Sequence, residues 1–257
     1  MIRESWPHGD VSIDPEEEGA GPAYKQVAAR LRALILSGEL VPADRLPSEA
    51  ELSILFKVSR STTREALRLL SSENLIVTSR GPTGGSFVAH PEPGHIQDFL
   101  QLNLGLLAAG SPVTVHALFE ARELLETPAA GMAATRRTPE QLEKLRACVR
   151  PAGGDDDPAQ LFEMNRAFHV QLLEAADNVV LTTLAQPVFG VIRGRFGRND
   201  ADEAFWGRVV HDHEEILAAI EAGDADRAQA EMRRHIAHLE TAYSGMEQHL
   251  AGGPPGD

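Results

Sequence analysis

The sequence is short of several residue types, and each shortage excludes a class of protein. It has one cysteine, Cys148, among 257 residues, so an internal disulfide, a cysteine redox pair and a thiolate-rich zinc site are excluded. Any metal must therefore be bound by histidine and oxygen ligands. No run approaches the roughly 18 consecutive apolar residues that a membrane span needs, and residues 1–10 lack the layout of a secretion signal. We expect a cytoplasmic protein that contacts no membrane.

Basic residues are outnumbered by acidic ones, but the two are unevenly distributed. The chain has 24 Lys and Arg against 38 Asp and Glu, a net charge of −14. Residues 24–90 nevertheless contain nine bases and six acids, whereas residues 91–257 contain fourteen bases and 26 acids. A polyanion can approach without general repulsion only through the first of these two segments.

Composition divides the chain into five parts. Residues 1–22 are an acidic arm with few large apolar residues, which predicts a flexible segment. Residues 91–95 contain two prolines and a glycine and are predicted to be a linker. Residues 251–257 are a tail without core-forming residues. Two candidate domains, residues 23–90 and 96–250, lie between these segments.

The first candidate domain combines three helical segments with a hairpin. Apolar residues recur at helical spacing in residues 24–38, and Ser48 and Ser59 each stand where a capping residue would open a further helix. Residues 75–78 and 85–88 are short β-prone runs on either side of a glycine-rich tip. Three helices followed by a hairpin predict a winged helix-turn-helix.

The third helix of this domain displays residues suited to DNA. Arg60 and Arg64 lie four positions apart on one face, with the hydroxyl of Thr62 between them. Guanidinium groups and hydroxyls suit base edges and phosphates in a major groove. The same pattern also fits a small helical domain whose arginines are solvated or paired with Glu65 and Glu73. Periodicity alone does not decide between the two.

The second candidate domain is helical in pattern throughout. Seven candidate helices run over about 96–109, 114–135, 139–149, 158–176, 179–197, 201–221 and 225–247. No segment among them has a convincing strand period. We predict an all-α antiparallel helical bundle here, so the fold class of the whole chain is predicted to be mainly α.

Three histidines and an asparagine of this bundle are candidate metal ligands. Asn165 and His169 lie four positions apart and project from one helix face, while His213 and His235 fall on two later helices expected to be antiparallel neighbours. A bundle interior that gathers three imidazoles and an amide oxygen suits a divalent metal. Ten histidines in 257 residues also produce such pairs by accident, so spacing alone favours ordinary surface or core histidines.

The N-terminal motifs resemble those of a known family. Residues 46–52 (LPSEAEL), 58–67 (VSRSTTREAL) and the glycine-rich 81–88 are similar to the DNA-binding domain of the GntR family of bacterial transcription regulators. The resemblance implies operator contacts from the second helix, the recognition helix and the wing, namely Ser48, Arg60, Thr62, Arg64 and Gly84. One position departs from the pattern, since Ala50 stands where many relatives have arginine. This departure implies a different operator preference.

The helical region resembles the FCD effector domain of the FadR-like branch of that family. The similarity rests on residues 118–126 (LFEARELLE), 165–169 (NRAFH), 213–216 (HEEI) and 232–235 (MRRH). The additional helix at about 96–109 is typical of the longer, seven-helix form of the domain.

The second resemblance implies a metal and an effector. In that family an aspartate and three histidines hold a divalent ion, often zinc, with positions open for a small carboxylate. The matching ligands here are Asn165, His169, His213 and His235, and the candidate effector-binding residues are Arg122, Asn178 and Arg193. Asn165 departs from the aspartate of the pattern. Because an amide oxygen is a weaker ligand than a carboxylate, metal affinity should fall or selectivity should shift.

Other roles for the effector-binding residues stay open. Arg122 also fits an ion pair with Glu126, four positions on, at an exposed helix face. Asn178 also fits a cap between two helices, which is the interpretation we rank first. Arg193 and the nearby Arg195 are weaker effector candidates than Arg122.

Together these features predict a transcription regulator without enzymatic activity. We expect a homodimer that binds palindromic operator DNA and responds to a small organic acid. One alternative is a DNA-binding dimer whose bundle holds no effector, which Asn165 keeps open. Another is a metal-dependent hydrolase, which also needs a general base beside a metal-bound water. Neither Glu214 nor Glu215 has a spacing that singles it out for that role.

Overall fold

A computed structural model describes residues 21–81, 84–110, 113–149, 158–196 and 201–251. Over these residues the chain has ten helices and one two-stranded antiparallel sheet. It divides between Glu92 and Pro93 into two compact units, which we call the N-terminal unit and the helical domain. The mainly α fold class predicted from the sequence is confirmed.

The N-terminal unit contains three helices followed by a hairpin. The helices are α1 (Ala23–Leu36), α2 (Glu49–Leu55) and α3 (Arg60–Ser72). The strands β1 (Ile76–Ser79) and β2 (Gly85–Val88) pair antiparallel, with Ile76 opposite Val88. This is the winged helix-turn-helix layout that the sequence predicts.

Local sequence explains where α2 and α3 begin. Ser48 and Glu51 form a reciprocal capping box, in which the Ser48 N–H donates to Glu51 Oε2 at 2.8 Å and the Glu51 N–H donates to Ser48 Oγ at 3.3 Å. Ser59 Oγ accepts a hydrogen bond of 3.1 Å from the N–H of Thr62 and caps α3. Between these helices Lys57 has a φ of 52°, the left-handed conformation that helps to reverse the chain. The turn of the motif is therefore specified by neighbouring residues.

Helix α3 buries one face and exposes the other. Leu67 and Leu70 belong to the core that α3 shares with α1 and α2. Arg60, Arg64 and Arg68 are exposed on the opposite side, the amphipathic arrangement expected of a surface helix. The arginines are therefore available to a partner in solution.

The helical domain contains seven helices over the described residues. They are α4 (Pro93–Gly110), α5 (Val115–Arg136), α6 (Pro139–Ala147), α7 (Pro158–Ala175), α8 (Val179–Phe196), α9 (Glu203–Ala222) and α10 (Ala225–Ala251). Each of them overlaps a predicted helix. Helix α5 packs against α7, α8, α9 and α10, and their apolar residues form one continuous core. None of the helices described has the length and apolar character needed to cross a membrane.

Two glycines set the arrangement of the helices that carry the candidate ligands. Gly223 ends α9 with a φ of 72°, a conformation that glycine adopts without strain. The connection to α10 is two residues long, so α9 and α10 are antiparallel neighbours. At Gly131 of α5, a Cβ would lie 2.4 Å from Nε2 of Gln229 of α10. Glycine therefore allows α5 and α10 to pack closely.

Helix α4 begins earlier than the sequence predicts. Residues 91–95 are a predicted linker, but α4 starts at Pro93, so the last three of these residues are helical. Proline is tolerated in the first helical turn because its missing N–H has no intrahelical partner to lose. Of the predicted arm and tail, residues 1–20 and 252–257 lie outside the described residues.

Candidate functional site

The predicted DNA-contacting residues Arg60, Thr62 and Arg64 lie on the outer part of α3. Arg64 makes a salt bridge with Glu49 of α2, with 2.9 Å between Nη2 and Oε2. The hydrogen bond from Arg64 lowers the pKa of the Glu49 carboxyl. The hydroxyl of Thr62 lies 2.8 Å from Oγ of Ser59. Arg64 is therefore already oriented by a carboxylate, whereas Arg60 stands exposed at the first turn.

Ser48 and Gly84, the other two predicted contacts, also serve the local fold. The Ser48 hydroxyl is engaged in the capping box of α2. Gly84 precedes β2, and its carbonyl accepts a hydrogen bond of 2.5 Å from Nη2 of Arg45. A Cβ at Gly84 would lie 2.5 Å from the carbonyl oxygen of Ser79. The backbone of the wing therefore requires glycine at this position, whatever it contacts.

Three histidines meet inside the helical domain. His169 of α7, His213 of α9 and His235 of α10 are each at most 3% exposed, and one ligand atom of each lies within 4.8 Å of those of the other two. Nε2 of His169 lies 3.2 Å from Nε2 of His235, and Nε2 of His213 has no hydrogen-bond partner in the part of the chain described. The structure thus brings together the three histidines that the family resemblance implies as ligands.

Burial keeps these imidazoles neutral. Loss of water, reinforced by the charge of Arg122 and opposed by that of Glu126, lowers the pKa of His169 to about 4. Burial also lowers the pKa of His213 well below its usual value, and it lowers that of His235. A neutral imidazole has the free lone pair that a metal needs. The three side chains are therefore in the ligand form at neutral pH.

Two buried carboxylates lie behind the histidines, and the sequence patterns do not single out either of them as part of the site. Oε2 of Glu126 lies 2.6 Å from Nδ1 of His169, and Oδ2 of Asp212 lies 3.3 Å from Nδ1 of His235. Each carboxylate faces the Nδ1 side of a ring and leaves Nε2 for the centre of the cluster. Outer carboxylates commonly orient metal-binding imidazoles in this way.

Both carboxylates stay ionised despite their burial. Burial by itself would raise the pKa of Glu126, but the charge of Arg122 and hydrogen bonds from His169 and Arg122 outweigh it and lower that pKa to about 2. Burial would also raise the pKa of Asp212, but hydrogen bonds from two histidines lower it to about 2. Each carboxylate is balanced by an arginine, Glu126 by Arg122 and Asp212 by Arg208, and each still presents an oxygen to the Nδ1 side of an imidazole.

Asn165 of α7 lies beside the cluster with an unused oxygen. Its side chain is 7% exposed, and Oδ1 has no hydrogen-bond partner among the residues described. Asn165 and His213 line a cavity of about 20 Å³, which has room for about one water molecule. An orphaned buried acceptor costs free energy until it gains a partner. Three imidazole nitrogens and an amide oxygen fit a divalent ion.

Arg122 of α5 lies against the same cluster. Its Nε donates to Oε1 of Glu126 at 2.6 Å, and its Nη2 lies 3.1 Å from Nε2 of His169. The guanidinium carbon lies 5.2 Å from the ring centroid of Phe119 and 4.9 Å from that of Phe189. The ion pair with Glu126 is thus present, but it is buried rather than exposed, because α5 is surrounded by other helices.

The other two predicted effector-binding residues lie elsewhere. Asn178 Oδ1 accepts hydrogen bonds of 3.1 and 3.2 Å from the N–H groups of Val180 and Leu181 and caps α8. Arg193 is 61% exposed and pairs with Glu163, with 2.9 Å between Nε and Oε1. Neither side chain joins the histidine cluster. A charged side chain without a buried partner stays in water, which accounts for the position of Arg193.

Comparison with known proteins identifies both units. Residues 23–88 match the bacterial regulatory proteins of the gntR family, and residues 117–238 match the FCD domain. The chain is 30% identical over 231 residues to an Escherichia coli regulatory protein named for the L-lactate dehydrogenase operon, which covers 88% of each chain. It is 29% identical over 206 residues to the galactonate operon transcriptional repressor of E. coli, covering 79% of this chain and 89% of the repressor. A structure titled Streptococcus agalactiae GntR aligns with a TM-score of 0.53 and 27% identity, covering 85% of this chain and 99% of that one.

Proposed function

This chain belongs to the GntR family of bacterial regulatory proteins and is a DNA-binding transcription regulator, and we propose that a small carboxylate bound at a metal in its helical domain controls its affinity for operator DNA. The relatives named above are regulators rather than enzymes.

The buried cluster of His169, His213 and His235 is the observation that carries this proposal. A polar side chain that is buried in a bundle core lowers stability unless it gains a hydrogen-bonding or metal partner. Here Nε2 of His213 and Oδ1 of Asn165 have none among the described residues. A divalent ion held by the three imidazoles and the amide oxygen would satisfy these atoms together.

Zinc is the ion that we propose, because nitrogen-rich sites with a single oxygen ligand suit it well. When bound, it would offer open coordination positions to a carboxylate oxygen. Glu126 and Asp212 would hold the rings of His169 and His235 in the orientation that directs Nε2 inwards. The neutral amide of Asn165 would leave the site more positive than an aspartate does, which favours an anionic effector.

Arg122 is the residue that we propose for the effector carboxylate. Its guanidinium lies 3.1 Å from an imidazole of the cluster, and a planar fork of donors matches a carboxylate. Phe119 and Phe189 flank the guanidinium and would contact a short apolar part of the ligand. Two relatives are named for lactate and galactonate operons, and both of these anions are hydroxycarboxylates. We therefore propose a small hydroxycarboxylate as the effector.

On the DNA side, we propose that α3 enters the major groove with Arg60, Thr62 and Arg64 towards the bases and phosphates. Ser48 would support the approach from α2, and Gly84 from the wing. Two copies of the chain would read the two halves of a palindromic operator. Binding of the carboxylate would favour an arrangement of the copies that releases the operator, as in a repressor.

Elemental analysis of protein purified without chelator or histidine tag is the first test. We expect about one zinc per chain in the parent protein, little in His213→Ala, and full occupancy in Asn165→Asp. Calorimetric titration with L-lactate and galactonate follows, with Arg122→Lys, which keeps a charge beside Glu126 but removes the guanidinium fork, as the test variant and Arg193→Lys as the matched control. Absence of metal from the parent together with no heat of binding would leave a DNA-binding dimer without an effector.

A further inference from the structure

The small cavity beside Asn165 and His213, which we call the α7–α9 cavity, has a third polar neighbour, Trp206 of α9. Trp206 is 5% exposed, and its indole Nε1 has no hydrogen-bond partner in the part of the chain described. An indole N–H can only donate, and a buried tryptophan usually finds an acceptor for it. A donor left unpaired in the core lowers stability. Trp206 therefore calls for an acceptor that the described residues do not supply.

Two helices bring the unpaired atoms to this cavity. Asn165 comes from α7, while Trp206 and His213 lie seven positions apart on α9, which places them on one helix face about two turns apart. The rest of the lining is apolar, apart from the weakly polar thiol of Cys148 at the end of α6, and consists of Val149, Leu161, Met164, Val209 and Val210. A ligand group in the cavity would therefore meet the indole, the amide and the imidazole as its main polar partners.

The α7–α9 cavity combines an unpaired donor with an unpaired acceptor. The N–H of Trp206 requires a lone pair, and Oδ1 of Asn165 requires a hydrogen. A hydroxyl offers both, because it has one O–H and two lone pairs. A carboxylate oxygen offers only lone pairs and an ammonium group offers only donors, so each would leave one of the two protein atoms unpaired. The cavity volume of about 20 Å³ also suits a group the size of one hydroxyl.

We infer that Trp206 determines the specificity of the effector site by donating its indole N–H to the 2-hydroxyl of a hydroxycarboxylate, while that hydroxyl donates its hydrogen to Oδ1 of Asn165. The inference rests on the proposed function, and it assigns the part of the effector that Arg122 does not recognise. An amide oxygen has two lone pairs, so Asn165 can accept this hydrogen bond and also bind a metal ion. Both L-lactate and galactonate carry a hydroxyl on the carbon next to the carboxylate.

The α7–α9 cavity and Arg122 both border the histidine cluster. His213 lines the cavity, and its ring centroid lies 5.3 Å from that of His169 and 4.8 Å from that of His235. Arg122 meets the cluster at His169, with 3.1 Å between Nη2 and Nε2. A small acid at the cluster is therefore close to both groups. Its carboxylate suits the guanidinium fork, and its 2-hydroxyl suits the cavity that contains Trp206.

Calorimetric titration of the full chain with pairs of acids that differ only in the 2-hydroxyl tests the inference. The pairs are L-lactate with propionate and galactonate with its 2-deoxy analogue. Trp206→Phe should lower the affinity for the hydroxycarboxylate by about 10-fold and leave that for its partner nearly unchanged, so the ratio of the two affinities should fall by about 10-fold. Phe205→Leu is the matched control, because Phe205 is the adjacent aromatic residue of α9 and does not line the cavity.

A second variant separates the N–H from the volume of the ring and serves if Trp206→Phe does not fold. It carries β-(3-benzothienyl)alanine in place of Trp206, a residue with the shape of tryptophan and a sulphur atom instead of the N–H. Because the chain has two tryptophans, it is made in a Trp6→Phe background, and it should show the same fall in the affinity ratio.

The outcomes separate the role of Trp206 from the proposed function. An unchanged ratio in the benzothienyl protein would overturn the role of Trp206, assign the cavity to an ordered water and leave the proposed effector intact. An equal fall in Phe205→Leu would also overturn that role. Absence of binding heat for all four acids in the zinc-loaded parent would overturn the proposed effector, and the role of Trp206 with it.

Discussion

The N-terminal unit and the helical domain hold their functional side chains in opposite ways. The α3 residues proposed to contact DNA come from one short stretch of chain near the surface, where Arg64 is 54% exposed and pairs with a partly exposed Glu49. The candidate ligands of the helical domain come from α7, α9 and α10 and are at most 7% exposed, with Arg122 from α5 beside them. The first arrangement is ready to meet a large partner, and the second can enclose only a small one.

This difference has an energetic consequence. An ion pair in water contributes little to stability, because solvent already screens both charges. A buried ion pair is different, since removal of one partner leaves an uncompensated charge in the core. The same kind of substitution should therefore have unequal effects in the two regions.

The sharpest contrast is between the two Arg–Glu pairs. Glu126→Ala leaves Arg122 without its partner in the core and should lower the free energy of unfolding by about 3–5 kcal/mol. Glu49→Ala removes the exposed partner of Arg64 and should leave stability unchanged within error. Urea unfolding followed by the fluorescence of Trp206, which is buried in the helical domain, measures the first change. Far-UV circular dichroism, which also reports α1–α3, measures the second. Recovery of stability in Arg122→Met/Glu126→Leu would identify the unpaired charge as the cause, and a small effect of Glu126→Ala would contradict it.

Acid should destabilise the helical domain through its buried histidines. The folded pKa of His169 is about 4 and that of His213 is also lowered, so the unfolded chain binds protons first as the pH falls below about 6.5. Stability should therefore fall between pH 7.5 and 5.5 by about 1 kcal/mol for each such histidine. Urea unfolding with chelator present, at both pH values, measures the loss. His213→Leu should reduce the pH dependence, and an unchanged dependence in that variant would refute this explanation.

Arg64 allows the opposite test, in which function changes and stability does not. Arg64→Ala should weaken binding to an operator fragment by about 10- to 100-fold, if its guanidinium contacts a base or a phosphate. The fragment can be selected from random DNA with the parent protein, and fluorescence anisotropy gives the affinity. Arg32→Ala is a suitable control, because Arg32 of α1 pairs with Glu73. Full affinity in Arg64→Ala would show that α3 does not lie in the groove as proposed.

The smallest predicted effect concerns Asp212, whose carboxylate faces the Nδ1 side of the candidate ligand His235. Asp212→Asn removes the charge facing Nδ1 of His235 but keeps an oxygen that can accept a hydrogen bond, so it should lower zinc affinity by about 10-fold. Competition with a chromophoric chelator measures the affinity. Glu214→Gln, two positions along the same helix and 56% exposed, should leave it unchanged. Equal affinities for the parent and Asp212→Asn would show that the carboxylate has no positioning role.

Local sequence was sufficient for the N-terminal unit because its structure depends on neighbouring residues. The caps at Ser48 and Ser59 and the alternation of apolar and charged positions on α3 identify its helices. For the histidines on α7, α9 and α10, spacing alone favours ordinary core residues, and it is the family resemblance that implies a metal site. The start of α4 is harder to predict. The composition of residues 91–95 indicates a linker, whereas Pro93 occupies the first turn of a helix.

The remaining features of the site depend on how distant helices approach one another. Glu126 and Asp212 gain their positions only when α5 packs against α7 and when α9 packs against α10. The spacing of residues along the chain does not predict these contacts between distant helices. Arg193 shows the converse, because a family resemblance implies an effector-binding role and the structure pairs the side chain with Glu163 on the surface. The burial of Arg122 likewise follows from the central place of α5.

Helix α8 lies between the histidine cluster and helix α4. The ring of Phe189 lies 5.6 Å from that of His169, and the next residue, Gly190, lies against Gln101 of α4. One helix therefore borders both the candidate effector site and α4, five of whose large apolar side chains are between 41% and 65% exposed. If the effector changes the association constant of two copies of the chain by some factor, association of the two copies must change the affinity for the effector by the same factor. The amount of effector needed for a response then depends on how many copies of the regulator the cell contains.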